Sequence, residues 1–224
     1  MDWTAFRLSV ALGIGTLVLL VPFAVWLGRA LAVRRVPGRG FIEALVALPL
    51  VLPPTVVGFY LLSVFGAGTA LGDAFAALTG RTLAFSFEGL LLASVIVNLP
   101  FAVQPVQNAF AAIPPRIREA GAVSGLTPWQ VFFRIELPLA WPGIATAVVL
   151  TFAHTLGEFG VVLMVGGSIP GETRTIAIAI YDRVQAFDDA AAGAMAAVLL
   201  GISVAALGIT NTLSRRVGRQ RRDG

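Results

Sequence analysis

Five apolar runs dominate the chain, and their spacing predicts five membrane-crossing helices. They cover residues 8–28, 44–66, 89–112, 142–166 and 190–213, each long enough for the ~20 residues of helix that a bilayer requires. Four contain no acidic, basic or histidine residue; the fourth contains His154 and Glu158. The first run does not read as a cleaved signal. Only Arg7 precedes it and it passes directly into Arg29, without a small-residue cleavage site. Between the last two runs, the apolar piece 175–181 is too short to span and predicts a helix lying on, or dipping into, the outer face. Splitting that region would give six spans and put the basic tail outside.

Arginine placement orients the spans. With the N-terminus outside, the inner segments 29–43, 113–141 and 214–224 carry twelve arginines, against four outside at Arg7, Arg81, Arg174 and Arg183. This bias predicts an outer N-terminus and a cytoplasmic C-terminus. Trp3, Trp26 and Trp141 fall near span ends, where amphipathic rings anchor at the headgroups.

Composition narrows the chemistry. The 224 residues are 57% hydrophobic and 12% charged, whereas a soluble domain carries roughly a quarter charged residues. An ordinary cytosolic enzyme, a disordered tail and a nucleic-acid-binding domain are excluded. The pI near 10.9 comes from short basic flanks between apolar runs and is no nucleic-acid signal. There is no Cys, hence no disulfide or thiolate metal site. All sixteen basic residues are Arg, so a Walker A lysine and a Schiff-base lysine are absent. The single His154 precludes a multi-histidine metal site within one chain.

The inner loop 113–141 predicts two short helices meeting at Gly125. Pro114 and Pro115 suit a first turn, where missing amide donors cost nothing, and Gly125 suits a C-terminal stop. Thr127, Pro128 and Gln130 then form an N-cap, a first helical position and a capping box. Leu137 and Pro138 predict the end of the second helix, and Pro142 the start of the next span. Ala120, Gly121, Ala122 and Gly125 are small enough to let another protein's backbone approach.

Glu119, Ala120 and Gly121, then Gly125 after three residues, then Ile135, Glu136, Leu137 and Pro138 after nine more resemble the EAA motif of bacterial ABC importer permeases. The departure is Gly121, where that motif has Ala. The resemblance implies an all-α type I transmembrane domain over residues 8–213, followed by a basic tail, 214–224. It also implies that 113–141 is the coupling loop seated on a separate ATPase, through Glu119, Ala120, Gly121, Gly125, Ile135, Leu137 and Pro138. A solvated helical hairpin is the alternative.

Two further stretches refine the resemblance. The run from Leu48 to Leu62, with its Pro49, Pro53, Pro54 and Thr55, resembles the corresponding helix of molybdate permeases. So do Thr155, Leu156, Gly157, Glu158, Phe159 and Gly160, with the following 166–174 loop and the 177–182 segment. Sulfate and thiosulfate permeases share the Gly-Glu-aromatic-Gly core, so that element alone marks an oxyanion-importer group.

The residues themselves carry a physical reading of the pathway. Three prolines in the second run remove donors and predict a bend or break, with Thr55 a pathway-lining hydroxyl beside it; a kink serving only packing is the alternative. Thr151, His154, Thr155 and Glu158 share one helix face. An intramembrane carboxylate costs about 2.5–3.5 kcal/mol and so faces partners or water. An ionised Glu158 repels a dianion, so it pairs with Arg or His, caps a broken helix or holds a gate; substrate contact and proton relay are the other readings. Gln104, Gln107 and Asn108 share a face of the third run, which also carries Asn98, Pro100 and Pro105. They suit a hydrated pathway, a subunit interface or helix–helix hydrogen bonding.

The resemblance implies a non-catalytic subunit in a bacterial inner membrane, importing molybdate, with tungstate or sulfate/thiosulfate as alternatives. Its partners would be a second copy of itself, two ATP-binding subunits, an external molybdate-binding protein and lipid, with no nucleic acid. No cofactor belongs to this chain; ATP and Mg would sit on the ATPase. A proton-coupled carrier using His154 and Glu158 and an intramembrane enzyme are the competing classes.

Overall fold

A computed structural model describes the backbone of residues 1–34 and 36–220 and the side chains up to residue 208. Among these residues every regular element is helical: α1 Trp3–Val33, α2 Arg39–Val51, α3 Pro54–Phe65, α4 Ala70–Thr79, α5 Phe87–Ala111 and α6 Pro115–Val123. After them come α7 Pro128–Val131, a π turn Phe132–Glu136, α8 Leu137–Gly157, α9 Gly160–Gly166, α10 Ile176–Gln185 and α11 Asp189–Gln220. The predicted tail 214–224 lies outside the described side chains, and residues 221–224 lie outside the described backbone.

α1, α5 and α8 pack against one another and hold the main core, which includes Leu20, Ala24, Leu31, Val103, Phe110 and Ile144. In lipid, apolar burial does not distinguish a helix partner from an acyl chain, so close backbone approach becomes decisive. Gly143 of α8 illustrates it: a Cβ there would strike Ala109 of α5 and fall 2.9 Å from the Pro105 carbonyl oxygen. A second cluster joins α3, α5 and α9 through Val57, Phe65, Val97, Val161 and Val165. A third ties α1 to α10 through Leu12, Leu90, Val162 and Ile178.

Four helical stretches are long and apolar enough to cross a membrane: Trp3–Val33, Phe87–Ala111, Pro128–Gly157 and Asp189–Gly208. A fifth is the pair α2 and α3, bent by 111°. The break falls where the prolines predict it, with Leu52 and Pro53 extended and Pro54 opening α3. The 175–181 piece forms α10, whose ten residues are too few to add a sixth crossing.

The fourth apolar run departs from the predicted 142–166 helix in two ways. It is broken, because α8 ends at Gly157 and the extended Glu158 (ψ 126°) leads into α9. It also begins earlier, since the helix that opens at Pro128 runs through Leu137 and Pro138 instead of ending there. The π turn explains the continuity. Leu137 donates to the Phe132 carbonyl, a five-residue step, and the wider turn accommodates a proline that a regular helix interior resists. α4 is the one helix without a counterpart in the hydropathy pattern. Thr69 caps it, accepting from the Gly72 amide at 3.0 Å.

Candidate functional site

Two regions gather the residues marked by the sequence. The first is the bend containing α6 and the π turn. α6 starts at Pro115 as predicted, and Gly125 beyond its end has φ +81°, a left-handed conformation that costs a residue with a Cβ. The next helix opens with the predicted capping box: Thr127 Oγ1 accepts from the Gln130 amide, and Gln130 Oε1 accepts from the Thr127 amide at 2.8 Å.

The small residues of this bend divide by direction. Glu119, Ala120 and Gly125 are exposed, whereas Gly121 is buried. A Cβ at Gly121 would lie 2.7 Å from Ile135 Cδ1, so this glycine makes room for the π turn of its own chain. Ala120, Gly121 and Ile135 line an open groove of about 610 Å³ with Arg116, Ile117, Ser124 and Leu126. Leu137 packs on the main core, and Pro138 is exposed in the first turn of α8. Beside the bend, Trp129 stacks on Phe133 at 5.9 Å, both exposed.

Sequence reasoning assigned no role to the most deeply placed charge here. Glu136 is fully buried and accepts from Arg29 Nε of α1 and Arg118 Nε of α6, each at 2.6 Å. Arg118 also donates to the carbonyls of Ile113 (3.0 Å) and Phe110 (2.7 Å) at the end of α5. Arg29 lies 5.0 Å over the Phe132 ring. The one signal in the sequence was a carboxylate set among apolar residues, six positions before the predicted span 142–166.

The second region is built where the two broken helices meet. A Cβ on Gly160 would come within 2.7 Å of Pro54 Cβ, and one on Gly58 within 2.6 Å of Met164 Cβ, so the first turns of α3 and α9 are in direct contact. Glu158 bridges its own break. Its Oε1 accepts from the Val161 amide at 3.0 Å, and its Oε2 lies 3.7 Å from His154 Nε2.

From His154 a chain of hydrogen bonds enters the helix core. His154 Nδ1 pairs with Asn98 Oδ1 at 3.1 Å, under a Phe101 ring stacked at 4.1 Å. Asn98 Nδ2 donates to Thr155 Oγ1 (3.1 Å) and to the Ser94 carbonyl (2.8 Å), and Thr16 of α1 donates to Ser94 Oγ at 2.8 Å. Such a buried set is stable only when nearly every member is satisfied. Thr151, one turn below, is buried with its hydroxyl unpartnered among the described residues. His154, Thr155 and Glu158 are thus brought together. Thr55, Gln104 and Asn108 stay apart, on exposed positions of α3 and α5, and Gln107 donates to Glu43 of α2 at 2.6 Å.

Residues 21–219 match the family of binding-protein-dependent transport system inner membrane components. The chain belongs to that family. Among relatives of this membrane component is the molybdenum transport system permease protein ModB of Azotobacter vinelandii, 50% identical over 195 residues, covering 85% of this chain and 84% of that one. ModB of Escherichia coli K12 is 34% identical over 221 residues, covering 98% and 96%. The sulfate transport system permease protein CysT of the same organism is 36% identical over 186 residues, covering 83% and 67%.

Solved ABC importers share the fold of this membrane component. The bacterial alginate ABC transporter, in complex with its alginate pentasaccharide-bound periplasmic protein, superposes with a TM-score of 0.74 at 19% identity, over 96% of this chain and 78% of that one. The inward-facing MetNI methionine ABC transporter gives 0.67 at 17%, over 96% and 93%. The chain is therefore a multi-pass inner membrane component with the all-helical fold of an ABC importer transmembrane domain.

Proposed function

We propose that this chain is the translocation subunit of an ATP-driven molybdate importer. The observation that carries the reading is the contact of Pro54 with Gly160. It joins the two stretches that resemble molybdate permeases, whose contacting residues lie 106 positions apart in the sequence, into one constellation of two helix breaks. Identity with the ModB proteins over most of the chain supports the same substrate.

In this reading two copies of the chain enclose the path, an external binding protein delivers the anion and two ATPase subunits hydrolyse ATP with Mg. The N-terminus lies outside and the C-terminus in the cytoplasm, as the arginine distribution supports. The exposed face of α6, with Glu119, Ala120 and Gly125, meets the ATPase; closure of the ATPase pair moves α6 and rocks the spans. Thr55, Gln104 and Asn108 offer uncharged polar groups, which engage an oxyanion without holding it, as release requires. Glu158 is a cap and partner of His154 rather than an anion ligand, because like charges repel.

The test is uptake by vesicles containing the chain, its ATPase and its binding protein. ATP-dependent molybdate uptake, with sulfate a poor competitor, is expected. Preferential sulfate uptake would move the assignment to the second reading, which the CysT relationship favours. Uptake driven by a proton gradient without ATPase would overturn the importer class.

A further inference from the structure

We propose that the Arg29–Glu136–Arg118 cluster, two half-buried arginines on one buried carboxylate, is the linkage that carries the motion of α6 into the transmembrane helices. This rests on the reading of α6 as the segment an ATPase moves. α6 itself has little with which to transmit force: only Gly121 of its nine residues is buried, and its packing is mainly on α7 and the π turn. Arg118 supplies the missing attachment. One guanidinium reaches Glu136 at 2.6 Å, the α5 carbonyl of Phe110 at 2.7 Å and the carbonyl of Ile113, just past α5, at 3.0 Å. Both carbonyls lie at the C-terminal end of α5, the negative end of its dipole, so a cation is well placed there.

Glu136 passes the connection on. Its second oxygen accepts from Arg29 at 2.6 Å, and the carboxylate sits in the π turn that leads into α8. A single fully buried carboxylate therefore joins α6, α1 and α8, and through Arg118 also α5. Of these, α1, α5 and α8 are the helices that form the main core. Arginine is suited to this because its planar fork can hold several acceptors in fixed directions, which a lysine cannot. Buried ion clusters are often dispensable for stability, since apolar side chains of similar volume replace them without loss, whereas removing one member leaves an uncompensated charge. A fold-independent role is thus open to test.

The three residues act through α6 and are positioning residues, so the decisive readout is the number of ATP molecules hydrolysed per anion imported. The assembled complex is compared in vesicles as wild type, as the triple variant Arg29→Met, Glu136→Met, Arg118→Met, and as Arg118→Lys, with molybdate as the transported anion. The triple variant is expected to assemble with an unchanged melting temperature, yet to raise ATP consumed per anion about tenfold, in the ordinary range of couplings between sites. Arg118→Lys retains the charge opposite Glu136 but loses the fork to α5, and is expected to raise the ratio severalfold. An assembled triple variant with the wild-type ratio overturns the proposal. Should that variant fail to assemble, a wild-type ratio in Arg118→Lys overturns it equally. Wild-type complex that shows no ATP-driven uptake refutes instead the reading of the chain as an ATP-driven importer subunit, and the linkage with it.

Discussion

Gly160 stands against Pro54 so closely that a Cβ on the glycine would come within 2.7 Å of the proline Cβ. The crowding atom belongs to a rigid ring at the first turn of α3, so it cannot rotate away. Gly160→Val is expected to destabilise the protein by about 1–3 kcal/mol, the usual cost of overpacking, and to abolish uptake. Gly157, three residues before it on the other side of the break, has no neighbouring atom within 4 Å of its Cβ position. Gly157→Ala should leave both uptake and melting temperature near wild type. Thermal denaturation in detergent and vesicle uptake measure the difference.

Much of the architecture was legible in the apolar runs, because a helix in lipid has to satisfy its own backbone and so leaves a long uninterrupted signal. The break at Pro53 and Pro54 was equally legible, since proline has no amide to donate. Proline also misled. Leu137 and Pro138 suggested a helix end, but the Leu137 to Phe132 bond widens the turn and the helix continues. The second break carries no proline; its markers are the flanking Gly157 and Gly160 and a carboxylate that could act as a cap. The Arg29–Glu136–Arg118 cluster was invisible because 107 and 18 residues separate its pairs, and no periodicity links them. Gly121 met the small-residue pattern for another reason, the proximity of Ile135.

Glu158 performs two tasks that different substitutions separate. Gln retains an acceptor for the Val161 amide and loses the charge beside His154. Ala loses both. Glu158→Ala should cost about 0.5–2 kcal/mol, the range for a lost helix cap, whereas Glu158→Gln should keep the wild-type melting temperature and still lower uptake. Uptake equal to wild type in the Gln variant would reduce the residue to a cap.

The exposed and buried positions of the bend around α6 should respond differently. Glu119→Arg changes an exposed charge and is expected to leave the melting temperature unchanged while abolishing ATP-driven uptake. Gly125→Val forces a branched side chain into φ +81°, at a cost of roughly 1–2 kcal/mol, with uptake lost and membrane insertion retained. Gly121→Ala should be tolerated, because the atom it meets is the far end of a flexible isoleucine. Uptake and insertion assays on the three variants check this ordering, and normal uptake by Glu119→Arg would remove the docking role of α6.

At the other end of α1, Asp2 couples the first helix to the segment before α10. Its Oδ1 accepts from the Ala5 amide at 3.0 Å and its Oδ2 from Arg174 at 2.8 Å. The Ala5 hydrogen bond above all, with Arg174 adding to it against partial burial, holds the carboxyl below the ordinary aspartate value of 3.8. A group whose pKa is depressed on folding stabilises the folded state fully above its unfolded value, and that contribution disappears as the pH falls through the folded one. Asp2→Ala should therefore lower the melting temperature near neutral pH, and the gap from wild type should close as the pH drops below 3.8. Asn at this position remains a good cap but cannot pair with Arg174 as a charge, so Asp2→Asn should fall between the two. A melting difference between wild type and Asp2→Ala that stays constant from neutral to acid pH would mean that the carboxylate contributes through packing alone.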